Sequence, residues 1–157
     1  GEKNAELMEA LKKNGVYAIT EEMKTKLSDF VGGYATEEQT AKTIHDVYAR
    51  TGYVMDTHTA VASCVCEQYR EETKDETKCL IASTASPYKF VGSVMSAIDP
   101  AYKGRDEFEL VDELETISRV EIPKAVREIR DAEILHTKEC DADQMKKTVK
   151  EILGIEE

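Results

Sequence analysis

Residues 79–82, Cys-Leu-Ile-Ala, form a continuous apolar run of the kind that marks a strand covered on both faces, as in a parallel sheet. It is the one stretch that reads as a convincing strand, and it constrains the rest. A buried strand must pair its backbone N–H and C=O groups with neighbours, and no other segment offers a partner of comparable quality. One reading makes the run a buried helical turn, since short apolar runs are ambiguous. The preferred reading is a strand near 79–84 whose neighbours lie outside these residues. The chain is then part of a larger protein, and by itself it self-associates through the open strand edge.

Elsewhere the pattern is helical. Ala5, Leu7, Met8 and Leu11 form one face of a helix that Asn14-Gly15 ends. Thr20 caps a second helix bearing Met23, Leu27 and Phe30, with Gly32-Gly33 as its stop. Thr36 followed by Gln39 is a capping box for a helix carrying Ala41, Ile44, Val47 and Tyr48, closed at Thr51-Gly52. Asp56 or Thr57 caps a helix over about 58–72, whose Ala-Val-Ala-Ser-Cys-Val-Cys stretch is small and apolar nearly all round and should pack on several sides. Ser86 caps a further helix with Pro87 at its first position, directing Phe90, Val91, Val94 and Met95 inward. Helices near 106–118, after Pro123 and over 142–153 complete the pattern.

The chain has 157 residues, 41% of them apolar and 34% charged, with no Trp. That mixture suits a helix-rich protein with broad solvated faces. A net charge of −11 argues against nucleic acid, which calls for a basic stripe. No apolar run approaches the ~20 residues of a membrane helix, so no membrane partner is expected. The polar start is unlike a signal peptide, and the expected location is cytoplasmic. Cys64, Cys66 and Cys79 sit in apolar contexts that favour buried, reduced thiols. His136 and Cys140 would share a helical face, but two further ligands are missing nearby, so no metal site is expected. His45 reads as a surface residue.

Two stretches carry chemistry. Ser83 to Phe90, Ser-Thr-Ala-Ser-Pro-Tyr-Lys-Phe, reads as a strand's carboxyl end turning into a helix start, the place where α/β sheets bind ligands. Ser83 and Thr84 offer hydroxyls to a ring nitrogen. Lys89 sits in a first turn, where a cation opposes the helix dipole unless an anion accompanies it. An ordinary capped turn with a solvated lysine accounts for the same residues. In the second stretch Asp56 and His58 form either an acid–base or orienting pair, or simply a cap and a polar first-turn residue.

Taken together and in order, Tyr53-Val-Met-Asp-Thr-His-Thr-Ala-Val61 and Ile81-Ala-Ser-Thr-Ala-Ser-Pro-Tyr-Lys-Phe90 resemble the C-terminal part of threonine synthase. That family commonly shows a D-P-H-T-A motif and then a T-A-H-P-x-K-F or T-A-S-P-x-K-F motif. The flanking segments agree, so the resemblance covers roughly 14–153. It implies an α/β enzyme of fold type II that depends on pyridoxal phosphate and converts O-phosphohomoserine and water to L-threonine and phosphate. On that resemblance residues 1–52 are a helical segment, 53–100 part of the cofactor-binding α/β domain, and 101–157 a C-terminal helical segment.

Thr84 matches the family hydroxyl that faces the pyridine nitrogen, with Ser83 beside it, and Lys89, Asp56 and His58 match lining positions. Thr57 stands where the family usually has Pro. Ser86 stands where many members have His, so no imidazole role carries over. The lysine that holds the cofactor belongs to the family's N-terminal half, which no segment here resembles. The expectation is therefore a C-terminal portion that is inactive alone. The alternative is a stand-alone α-helical interaction module without catalysis.

Overall fold

The computed structural model describes residues 1–135 and 137–155. Eight α-helices are formed among them: α1 Glu2–Asn14, α2 Glu21–Lys26, α3 Glu37–Thr51, α4 Thr57–Thr73, α5 Val91–Ile98, α6 Glu107–Ser118, α7 Lys124–Arg130 and α8 Met145–Leu153. The local signals that begin and end them are largely side-chain caps and glycines. Thr36 and Gln39 close a reciprocal capping box at the start of α3, while Gly52, at φ 73°, ends it in a left-handed turn. Thr20 accepts from the Met23 N–H at the start of α2, and Asp106 accepts from the Phe108 and Glu109 N–H groups at the start of α6.

The core lies where α3 packs on α4 and α5, and α5 on α6. Ile44 of α3, Ala60 of α4, Val91, Val94 and Met95 of α5, and Leu110, Val111 and Leu114 of α6 are all buried in one cluster. Val54, Met55, Tyr88 and Ile122 fill its edges from the connections. The buried Tyr88 hydroxyl donates to the Val120 carbonyl oxygen, tying the turn before α5 to the segment after α6. Burial disfavours the phenolate and raises Tyr88 above its ordinary value, although the Ser118 hydrogen bond acts the other way. Arg130 docks α7 on α6, donating to the Phe108 carbonyl at 3.0 Å and to Asp112 at 2.7 Å. Gly33 passes so close to α4 that a Cβ there would sit 2.5 Å from a Val65 methyl, so the approach requires glycine.

Several sequence expectations are corrected. Residues 79–84 form neither strand nor helix; the segment is irregular, and no strand occurs among the described residues. Leu80 is 95% exposed. The run's apolar character reports a preference for cover, and no described residue supplies a neighbouring strand to satisfy its backbone. Helix α2 stops at Lys26, leaving Phe30 73% exposed beyond it. Ser86 caps a single 3-10 turn, Pro87–Phe90, which runs into α5. Phe90 is partly exposed there and is not a core residue. Helix α4 buries Thr59, Ala60 and Ser63 but leaves Ala62 exposed, so it packs less completely than expected. Cys79 is exposed, while Cys64 and Cys66 are half-buried; all are free thiols, as is the exposed Cys140.

Helices α1, α2 and α8 contribute no buried residue, which separates a stabilising centre from a dispensable periphery. Leu114→Ala should cost about 2–5 kcal/mol, the usual range for emptying a buried leucine site. Leu153→Ala on α8 should stay within about 0.5 kcal/mol. Urea unfolding of the two variants measures the contrast, and equal losses would place α8 inside the cooperative unit.

Candidate functional site

The site begins with Asp56, whose side chain is fully buried at the start of α4. Its Oδ1 accepts from the backbone N–H of His58 at 2.8 Å and of Thr59 at 3.3 Å. Its Oδ2 accepts from the Thr59 hydroxyl. The His58 ring stands beside it, Nδ1 lying 3.3 Å from Oδ1, with 60% of that side chain exposed. Burial opposes ionisation of Asp56. The Thr59 hydroxyl, the two backbone N–H groups and the His58 ring together outweigh it and hold the carboxyl below its ordinary value. Asp56 is thus a buried, charged cap.

Thr59 carries the network across the chain. Its oxygen lies 2.9 Å from the Ser83 hydroxyl, 24 residues away in sequence. A threonine hydroxyl has one proton, committed to the carboxylate, so Thr59 accepts from Ser83. Thr84 follows directly, exposed and hydrogen-bonded to none of the described side chains. On the open side the His58 ring leans on Phe90, with ring centroids 5.4 Å apart and planes tilted by 41°. Lys89 Nζ lies 5.4 Å from the centroid of the same phenyl ring. A groove of about 270 Å³ opens here, lined by His58, Phe90, Thr57, Thr40, Glu37 and Ser93 among others.

The sequence-predicted residues therefore converge. Asp56 and Ser83 are joined through Thr59, and His58 and Lys89 each lie against the Phe90 ring. Thr84 is placed beside Ser83 but contacts none of the other four through a hydrogen bond. Sequence reasoning missed Thr59 and the ring role of Phe90. The Thr59 signal was present, because a hydroxyl three residues after an Asp cap reaches back to it within one helical turn. The expected absence of a metal pair at His136 and Cys140 concerns a residue, His136, outside those described. Among the described residues no group of three or more His, Cys, Asp or Glu is placed to hold a metal ion.

Asp56 has a lowered value in the folded chain, so its contribution to stability is present above the ordinary aspartate value of 3.8 and is lost as pH falls through that value and below. Asp56→Ala should cost about 1–3 kcal/mol at neutral pH by orphaning the donors of the first turn. Asp56→Asn keeps an acceptor and should cost less, while flattening the acid limb of the stability curve. Urea midpoints measured from pH 7 down to pH 3 check both; an unchanged acid limb in the Asn variant would show that Asp56 titrates alike in both states.

Comparison with known proteins addresses the same stretch. The family model described as threonine synthase, C-terminal, matches residues 59–149, more than half of the chain and including Ser83, Thr84 and Lys89. Threonine synthase-like 1 of Homo sapiens is 31% identical over 99 residues, which are 62% of this chain and 13% of that protein. The threonine synthase of Corynebacterium glutamicum is 32% identical over 82 residues, 52% of this chain and 17% of that protein. The threonine synthase of Saccharomyces cerevisiae is 32% identical over 94 residues, 56% of this chain and 18% of that protein. The chain spans less than a fifth of each of these relatives. It belongs to the threonine synthase C-terminal family.

Proposed function

We propose that these residues are the C-terminal portion of a fold-type II, pyridoxal-phosphate-dependent threonine synthase, a lyase that forms L-threonine and phosphate from O-phosphohomoserine and water. The family match across Thr59 to Val149 carries this reading. The convergence of both motif stretches on one side of the molecule supports it. Exposed apolar side chains such as Leu80, at 95%, and Phe30, at 73%, suit surface that further protein covers. No described helix is long and apolar enough to cross a membrane.

The residues fit the cofactor chemically. Pyridoxal phosphate, when bound, supplies an electron sink for carbanion chemistry on the amino-acid substrate. Thr84 presents a neutral hydroxyl with no described partner, suited to a pyridine nitrogen that is to stay unprotonated. Ser83 anchors that position through Thr59 to the buried Asp56. Lys89 forms no ion pair among the described residues and rests on an aromatic face, leaving its charge available to a phosphate. His58 lines the approach, with the buried Asp56 fixing the helix start beneath it.

In this reading the lysine that holds the cofactor comes from the family's N-terminal half, and residues 1–157 alone release no phosphate. Phosphate release from O-phosphohomoserine, assayed with added pyridoxal phosphate, should stay at background for this chain and be measurable for the complete protein. In the complete protein Thr84→Ala removes one hydrogen bond of about 0.5–1.5 kcal/mol, which should weaken cofactor affinity roughly three- to tenfold. Thr84→Ser should retain most of it. Equal affinity in the Ala variant would remove Thr84 from the cofactor site. A complete protein without phosphate release would favour the α-helical interaction module instead.

A further inference from the structure

The chain after α4 doubles back along the helix that precedes it. Arg70 donates to the Thr77 carbonyl at 2.9 Å, and the Tyr69 hydroxyl lies 3.3 Å from Asp75. At the far end Ser83 meets Thr59 at 2.9 Å. Residues 77–83 therefore run antiparallel to α4, from Arg70 back to Thr59. Thr59, Ser63, Cys66 and Arg70 follow a 4-3-4 spacing, which places them along one face of the helix. Cys79 lies two residues past Thr77, ~6–7 Å along the returning chain. Cys66 lies one turn before Arg70, ~6 Å along the helix. The returning chain thus carries Cys79, whose thiol donates to the Thr77 carbonyl oxygen at 3.6 Å, to the level of Cys66 on the helix, and its proximity is the main cause that, ahead of burial, raises Cys66 above its ordinary value.

We propose that Cys66 and Cys79 are a dithiol modification site that a small-molecule disulfide of the glutathione type converts to an intramolecular disulfide. Cys79 is exposed and Cys66 half-buried, so Cys79 meets the oxidant and Cys66 resolves. In the first exchange the Cys79 thiolate attacks the glutathione disulfide, forming a Cys79–glutathione bond and releasing one glutathione thiolate, which takes up a proton. In the second the Cys66 thiolate attacks Cys79 Sγ, the Cys79–glutathione bond breaks, and a second glutathione leaves and is protonated. Two cysteine thiols are oxidised and one glutathione disulfide is reduced to two thiols. Cys64 is excluded by direction: it accepts a hydrogen bond from Gln68 at 3.4 Å and lines a groove shared with Gln39 and Lys42 of α3. The crosslink fixes the segment leading into Ser83. The inference rests on this fold-back alone and is independent of the proposed enzyme activity.

The test equilibrates the native 157-residue chain with mixtures of reduced and oxidised glutathione, quenches free thiols by alkylation, and maps disulfides by mass spectrometry without reduction. The expected product is a Cys66–Cys79 linkage, in excess over Cys64–Cys79 by at least about tenfold, because only a pair with suitable Cβ geometry closes without backbone movement. In concentrated urea the two linkages should form in near-equal amounts, since their loops differ by two residues and closure entropy varies slowly with length. Cys66→Ser should abolish the crosslink and leave glutathione on Cys79. Cys64→Ser and Cys140→Ser should leave it intact. Glutathione adducts without a crosslink in the native chain, or the same linkage ratio in buffer as in urea, would overturn the proposal.

Discussion

A carboxylate removed from water must have its lone pairs met by donors, or the charge is lost. At Asp56 every hydrogen-bond donor comes from the first turn of α4: two backbone N–H groups and one hydroxyl, with the His58 ring standing beside them. That requirement fixes where the helix starts and how it is rotated. Val54 and Met55, buried just before it, seat the incoming chain in the core cluster. The Thr59 hydroxyl passes the constraint to Ser83. The polar stretch is thus a folding device in its own right, whatever part its residues take in the function proposed above.

What the sequence made legible was local. The Thr36 capping box, the Thr20 and Asp56 caps and the glycine stops at Gly15 and Gly52 depend on neighbours within four residues, and all are found where the pattern places them. The same holds for the apolar faces of α3 and α5, whose period alone selects Ile44 and Val94. The failures concern which surface covers an apolar group. Leu80 and Ile81 have the composition of a buried strand yet stand exposed, and Phe90 turned toward His58 instead of inward. Apolarity states a demand for burial; a single chain's pattern does not name the surface that meets it. Within the site, Asp56, His58, Ser83, Thr84 and Lys89 were readable as residue types on motif spacing. The Thr59 bridge was encoded but overlooked, and the aromatic contact required the fold.

The described helices divide into a packed centre and an apolar-faced periphery. Met145, Val149, Ile152 and Leu153 lie on α8, and each is at least half exposed. In a monomeric soluble protein, extended apolar surface of that kind marks contact with another protein surface. Matched stretches that make up 13–18% of the threonine synthases and threonine synthase-like 1 give that observation a setting, and the family's other residues are the natural cover under the function proposed above.

The Tyr88–Val120 hydrogen bond joins residues 32 positions apart, with α5, the 99–106 connection and α6 between them. Together with the α5–α6 packing it makes that stretch a closed ring held at two points other than its backbone. Residues 99–106 are mostly exposed, and Gly104 adopts φ 78° in the turn. A backbone break in this connection would therefore nick the covalent chain without separating the pieces, and new termini or an inserted peptide would find room there. Continuity of the particle and continuity of the polypeptide are distinct properties at this point of the molecule.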